Sequence, residues 1–450
     1  MTQSPAGSAP KAWYLEPAVL ITASFALTIF IGGVLLWLPI SLEPGVKLPF
    51  LDALFTSTSA VCVTGLNVID PATTYSAFGE AVIMVLIFLG GIGVITAGTF
   101  VFLLAGRRMG FAERTRVNEA IGGGSGSASS VVFTVLGYSI SIQFVGFLLL
   151  WLAWAGREPN AVYYALFHSV SAFNNAGFSL YPDNLVRYAG DPWTNLIVAG
   201  LIILGGLGFL VYMNIRLWRV DRIKNPLKLN TRVVLFSTAA LLLIGTVAFL
   251  LLEWSNPKTL GALEPWQRVH AAFFMSVTPR TAGFNTVDYD LITHSSTFVT
   301  LLLMFIGASP ASTGGGIKTT TFFVLLLSAI SFVRHGGEPT AFGRRIELNV
   351  ILKALAVTFL GVQLVGVAFT ALSLTEPAAN PVKVVFETIS AFGTVGLSMN
   401  FTPTLSEPGR IIVIILMFLG RVGVLTFALA LTGRSAERKL RYPSEDVTIG

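Results

Sequence analysis

A single cysteine, Cys62, among 450 residues leaves no partner for a disulfide within the chain and no material for a thiolate metal cluster. Histidine is nearly as scarce, and His168, His270, His294 and His335 are scattered without the spacing of a zinc site. Charge is short as well: Asp, Glu, Lys and Arg make up 12% of the chain, about half the share of a soluble domain. A sizeable soluble domain is thereby excluded. No nucleotide-binding motif is present, and no cleavable signal peptide is expected, because the first apolar run is too long and lacks a small-residue cleavage site.

What the chain has instead is apolar length. It is 54% hydrophobic with a mean hydropathy of +0.75. Runs such as 18–40, 131–154, 233–252 and 350–372 are long enough to cross a bilayer as helices. The net charge of +6 could suggest nucleic-acid binding, but the basic residues gather in alternate loops and argue against it. One group is Arg107, Arg108, Arg114 and Arg116, and another runs from Arg216 to Arg232. A third is Arg334, Arg344, Arg345 and Lys353, and the tail adds Arg434, Arg438, Lys439 and Arg441. That alternation predicts cytoplasmic termini and basic loops on a multi-pass chain in the cytoplasmic (inner) membrane.

A unit recurs four times: outer helix, short pore helix, glycine-ended turn, inner helix. The closing glycines are Gly65, Gly177, Gly283 and Gly396, at near-equal intervals. Ten residues before each stands Phe55, Phe167, Phe273 or Phe386, and three units carry Ser59, Ser171 or Ser390 six before. The inner helices share a register too: Gly90-Gly91-Ile92-Gly93, Gly205-Gly206-Leu207-Gly208, Gly307-Ala308-Ser309-Pro310 and Gly420-Arg421-Val422-Gly423. The expected fold is therefore an all-α integral membrane protein of four tandem parallel repeats, with eight spanning helices around one pseudo-fourfold pore. The repeats are 1–116, 117–222, 223–340 and 341–433, followed by a cytoplasmic tail at 434–450. The pore helices are expected at 49–60, 160–172, 264–277 and 381–391. Only the third inner helix is expected to break.

The turns carry the chemistry. They read Cys62-Val63-Thr64-Gly65, Asn174-Asn175-Ala176-Gly177, Arg280-Thr281-Ala282-Gly283 and Gly393-Thr394-Val395-Gly396, without a single Asp or Glu. Small side chains let four backbones approach one axis, and carbonyl oxygens can then replace the water of an alkali cation without trapping it. Any one of these glycines alone reads as a helix C-cap; four in register read as a cation site of backbone carbonyls.

On these stretches the chain resembles the Trk/Ktr/HKT superfamily of potassium transporters, most closely its Ktr-type membrane subunits. The matching segments are Ser59–Leu66, Ser171–Phe178, Thr278–Asn285 and Ser390–Leu397, and the likeness covers nearly the whole chain. It implies channel-like K+ uptake through the four turns as a selectivity filter, with Gly65 favouring potassium over sodium. It marks 307–318, with Gly314, Gly315 and Gly316, as an intramembrane gating loop. It also implies a homodimer on a cytosolic KtrA-type ring that binds ATP or ADP and often cyclic di-AMP, with sodium as an activator and no covalent cofactor.

Two cations at membrane depth are candidate gate residues. Arg421 aligns with Gly91, Gly206 and Ala308, so it is expected beneath the filter, holding the loop through oxygen acceptors; Lys318 is either a second gate charge or a snorkelling anchor. Arg280 is expected to turn its side chain away from the axis, toward an acid such as Glu387. Two rival readings are weaker: a coupled symporter, because the site is uncharged, and an enzyme, because His168-Ser169 has no third member and neighbouring helix residues diverge.

Overall fold

The computed structural model describes residues 17–92, 128–335 and 338–423. The first basic loop (Arg107–Arg116), the glycine-serine stretch Gly122–Ser127, the lower part of the first inner helix and the tail lie outside these residues.

The chain divides into four successive quarters. The first contains α1 (Pro17–Trp37), α2 (Phe50–Val61) and α3 (Ala77–Gly91). The second contains α4 (Ala128–Trp154), α5 (Ala161–Phe173), α6 (Pro192–Leu207) and α7 (Phe209–Val220). The third contains α8 (Leu229–Glu253), α9 (Pro265–Val277), α10 (His294–Phe305) and α11 (Thr319–His335). The fourth contains α12 (Leu348–Thr375), α13 (Pro381–Gly393) and α14 (Glu407–Val422). In every quarter the short helix packs against the long one before it, and in the first, second and fourth also against the helix after it; in the third it packs instead against α6 of the second quarter. A two-stranded hairpin, Thr340–Ala341 with Arg344–Arg345, precedes α12.

Local sequence sets the helix starts. Ser76, Asp191, Thr293 and Ser406 each cap an inner helix by accepting a bond from the backbone N–H three residues on. Each cap region is also tied to the end of its own quarter's long helix. Glu253 accepts from the amide and hydroxyl of Thr293, each at 2.8 Å, and Glu376 accepts from the amide of Ser406 at 2.8 Å. Trp154 Nε1 donates to Thr194 at 2.9 Å, and Ser76 Oγ donates to the Ile40 carbonyl at 2.7 Å. The short helices point inward on buried phenylalanines: Phe55, Phe167 and Phe386 are essentially inaccessible, each contributing about 2–3 kcal/mol of burial. The third differs, because Phe274 rather than Phe273 is the fully buried ring.

Among the described residues three helices (Val132–Trp154, Leu229–Glu253 and Leu348–Thr375) are each long and apolar enough to cross a membrane, and α6 with α7 makes a bent fourth candidate. The protein is a multi-pass membrane protein with a mainly helical fold.

Two expectations need correction. The fourth short helix runs on through Gly393 and ends at Thr394, which adopts a left-handed conformation. More consequentially, two inner helices break. The third does so between Phe305 and Thr319, but the second also turns by 88° between Leu207 and Phe209. Gly208 sits at that corner with φ 89°, ψ 142°, and a side chain there would meet the Pro310 carbonyl. The opening lets the Phe209 amide donate to Ala311 O at 2.8 Å, and the Gly205 and Gly206 carbonyls accept from Thr313 and Ser309. The bend is thus shaped to receive the third quarter's broken segment. Gly208→Ala should destabilise the fold by about 1–3 kcal/mol. A lowered melting temperature of the detergent-solubilised protein would register this, and an unchanged one would show that the corner is not set by Gly208.

Candidate functional site

The four glycine turns meet. A Cβ built on Gly65 would lie 2.5 Å from the Ala176 carbonyl oxygen and 3.2 Å from Gly177 Cα. One on Gly177 would lie 2.8 Å from Ala282 O, and one on Gly283 2.7 Å from Val395 O. The circle closes where Gly396 abuts Thr64 O and Gly65 Cα. Each turn therefore presses its glycine against the next turn's carbonyl, once around.

The backbone inside the turns is alike in all four. Val63, Asn175, Thr281 and Thr394, two residues before each glycine, have φ of 57°, 61°, 67° and 49°, and the glycines have φ between 70° and 95°. Left-handed conformation is uncommon for non-glycine residues and an outlier for β-branched Val and Thr, so a strained conformation is imposed at three of these four positions. The strain is held by hydrogen bonds from behind. Cys62, Val63 and Thr64 donate their amides to Thr58, Ala60 and Ser59 carbonyls of α2, and Gly65 N donates to Ser59 Oγ at 3.0 Å. In the second turn Asn174, Asn175 and Ala176 donate to Val170, Ala172 and Ser171. In the third, Arg280 and Ala282 donate to Val277 and Thr278. In the fourth, Thr394 and Val395 donate to Ala391 and Ser390, and Gly396 N reaches Ser390 Oγ at 3.1 Å. The recurrent serine thus braces the turn.

With the amides committed backward, the carbonyls remain. Among the described residues, no hydrogen-bond donor is directed at the carbonyls of Val63, Thr64, Asn175, Ala176, Thr281, Ala282, Thr394 or Val395. Buried carbonyls without donors are rare, and eight of them gathered on four converging turns form a neutral, oxygen-rich surface suited to a desolvated cation. Among the described residues no group of three or more His, Cys, Asp and Glu could hold a metal; the oxygens these turns offer are the carbonyls and the unpartnered hydroxyls of Thr64 and Thr394.

Directly against this ring lies the broken segment of the third quarter. A Cβ on Gly314 would overlap Thr281 Oγ1, one on Gly315 would overlap Thr394 Oγ1, and one on Gly316 would lie 3.3 Å from Gly393 Cα and O. Thr313 Oγ1 lies 3.3 Å from Phe173 O and 3.2 Å from the Asn175 amide. The segment folds back on itself, with Gly307 N donating to Ile317 O at 2.8 Å. Lys318 Nζ donates to the Gly314 and Gly315 carbonyls at 2.7 and 3.3 Å, so it turns into its own loop rather than toward a membrane surface. Arg421 is 7% exposed; it donates one guanidinium nitrogen to Thr313 O and the other to Gly90 O at 2.5 Å. The loop is therefore clamped between the first and fourth quarters.

Arg280 departs from expectation. It is buried and directed away from the ring, but its partner is Thr238 Oγ1 at 3.4 Å, and its Nε has no acceptor. Glu387 instead accepts from Ser398 at 2.7 Å and Thr402 at 2.5 Å, beside the fourth turn. The two charges belong to different quarters, and each is pulled into its own local bonds. The Gly208 break was also missed. The signal was the recurring glycine at Gly208 and Gly423, whose φ values, 89° and 90°, turn out to match.

Comparison with known proteins agrees with this architecture. The family model described as TrkH, cation transport protein, matches residues 16–437. The Ktr system potassium uptake protein B of Bacillus subtilis is 42% identical over 437 residues, covering 96% of this chain and 97% of that one. Its namesake from Vibrio alginolyticus is 38% identical, covering 99% and 97%. The potassium/sodium uptake protein NtpJ of Enterococcus hirae is also 38% identical, covering 97% and 98%. Among solved structures, the potassium transporter TrkH from Vibrio parahaemolyticus superposes with a TM-score of 0.72 over 96% of this chain and 87% of its own, at 18% identity. The correspondence of fold and full-length sequence leaves one assignment: this chain belongs to the TrkH family of cation transport proteins.

Proposed function

We propose that the protein takes up potassium across the cytoplasmic membrane by channel-like passage through the ring of turns. The carrying observation is the orientation of the backbone: amides tied back into the short helices, carbonyls left without donors where four turns converge. Neutral carbonyls bind a monovalent cation strongly enough to strip its water and weakly enough to release it. The filter comprises Cys62–Gly65, Asn174–Gly177, Arg280–Gly283 and Gly393–Gly396, with K+ as cargo rather than as a resident cofactor. Below it, the 307–318 loop is the gate, held shut by Arg421 and by the loop's own Lys318.

The four quarters act as repeats, 1–116, 117–222, 223–340 and 341–433, giving eight crossings with both termini in the cytoplasm. A name such as Ktr system uptake protein denotes one component of a larger assembly. The proposed assembly is a homodimer on a cytosolic nucleotide-binding ring that controls the gate. Sodium stimulation is supported by the potassium/sodium name of the Enterococcus hirae relative.

Uptake of rubidium-86 into proteoliposomes is the test. Uptake should be suppressed by external K+ far more than by Na+, and should persist without a proton gradient. Absence of rubidium uptake would sink the reading, and strict dependence on a proton gradient would favour a coupled symporter.

A further inference from the structure

The four short helices are tied to neighbouring quarters at both ends, not only at the ring. The third residue of each is Asp52, Tyr163, Gln267 or Lys383. Each reaches into the preceding quarter, at or just ahead of the start of that quarter's inner helix. Asp52 pairs with Arg410 of the fourth quarter at 2.5 Å. Tyr163 donates its hydroxyl to Glu80 of the first quarter at 2.7 Å. Gln267 Nε2 donates to Gly190 O of the second at 3.2 Å. Lys383 pairs with Asp290 of the third at 2.7 Å. The partners follow one direction around the molecule and close on themselves, as the glycine contacts do.

The chemistry differs at every link: two ion pairs, a phenol on a carboxylate and an amide on a carbonyl. Sequence periodicity would not produce this, since the residue types share nothing but their position on the helix. None of the eight groups is fully exposed, and Asp52 is buried, so the links are screened less than surface pairs.

We infer that these links form a hoop that sets the spacing of the carbonyl ring, making Asp52, Tyr163, Gln267 and Lys383 positioning residues for ion discrimination. The inference rests on the function proposed above. A helix of 12 or 13 residues is a rod about 18 Å long. One end carries a ring turn and the other carries a link. If a link opens, the rod is free to tilt about its packed middle, and the far end carries its carbonyls by a comparable distance. Ion choice depends on the number and placement of coordinating oxygens, so a slackened hoop loses selectivity before it loses fold.

Rubidium-86 uptake into proteoliposomes, competed by K+ or by Na+, measures the effect. Tyr163→Phe removes one oxygen and keeps the ring, and Lys383→Met opens the opposite link. Each should lower the K+-over-Na+ preference about threefold to fivefold, because only part of the tenfold or more that one bond to a charged group is worth reaches the far end of the helix. The exchange Asp290→Lys with Lys383→Asp restores a pair of reversed sense and should return the preference to near wild type. Preference unchanged in both single variants, or lost in them and not recovered by the exchange, would overturn the hoop. A link that merely stabilised the fold would reduce the amount of active protein and leave the preference untouched, which also counts against it. If the wild-type protein carries no rubidium, the proposed function fails first and the hoop falls with it.

Discussion

Gly65→Ser should abolish most of the discrimination between potassium and sodium, reducing it about tenfold or more in competed rubidium-86 uptake. Two effects act together. The backbone at Gly65 has φ 95°, where a residue with a Cβ is strained by about 1–2 kcal/mol. The new Cβ would also lie 2.5 Å from Ala176 O and 3.2 Å from Gly177 Cα, well inside contact distance. Neither neighbour is a flexible side chain that can step aside; both are backbone of the second turn. The ring must open at that point, and the added hydroxyl offers an ion a further oxygen of different geometry. Since each turn leans on the next, displacement at Gly65 is passed to Gly177 and onward to Gly283 and Gly396. A Gly65→Ser protein with wild-type selectivity would remove the first turn from the filter.

Arg421→Met should raise basal cation flux about tenfold or more in the absence of any regulatory partner. Arg421 holds Thr313 O in the loop and Gly90 O in the first quarter's inner helix. Bonds from a charged donor contribute about 1.5–3 kcal/mol each, and about 1.4 kcal/mol shifts an equilibrium tenfold. Methionine keeps much of the side-chain bulk and removes both bonds and the positive charge. The loop then loses its tie to the first and fourth quarters and keeps only its bonds to the second, and the passing cation loses a repulsive neighbour; both changes favour conduction. The loop is still gathered by Lys318, whose bonds to Gly314 and Gly315 are internal to it. A flux equal to wild type in Arg421→Met would show that the clamp does not limit passage.

The turns were legible because their chemistry is local. A glycine with a serine six residues before it and a phenylalanine ten before it can be counted along the chain. The serine's role then proves to be local too: Ser59 and Ser390 brace the amide of the glycine six residues on. The break in the third inner helix was legible for the same reason, since three glycines and a proline cannot continue a helix. Arg421 was legible as an arginine aligned with glycines. The pairing of Arg280 with Glu387 was misjudged because two buried opposite charges invite pairing, while each side chain answers to its nearest hydrogen-bond partners. For Glu387 these are Ser398 and Thr402, only 11 and 15 residues away in sequence. The second helix break was misjudged because Gly208 alone carries a weak signal, and what opens the helix there is the third quarter's Ala311 and Pro310 lying against it.

By itself the sequence determined that the chain lives in a bilayer, that one motif recurs four times, and that the recurring turns offer uncharged oxygen. Those properties follow from composition and short-range spacing. Only the tertiary structure decided which turn abuts which, that the arginine of the fourth quarter also holds Gly90 of the first, and that unlike residues link each short helix to the start of a neighbouring quarter's inner helix. Such contacts join residues from 77 to 358 positions apart, and their partners are selected by geometry after folding, so no pattern along the chain encodes them.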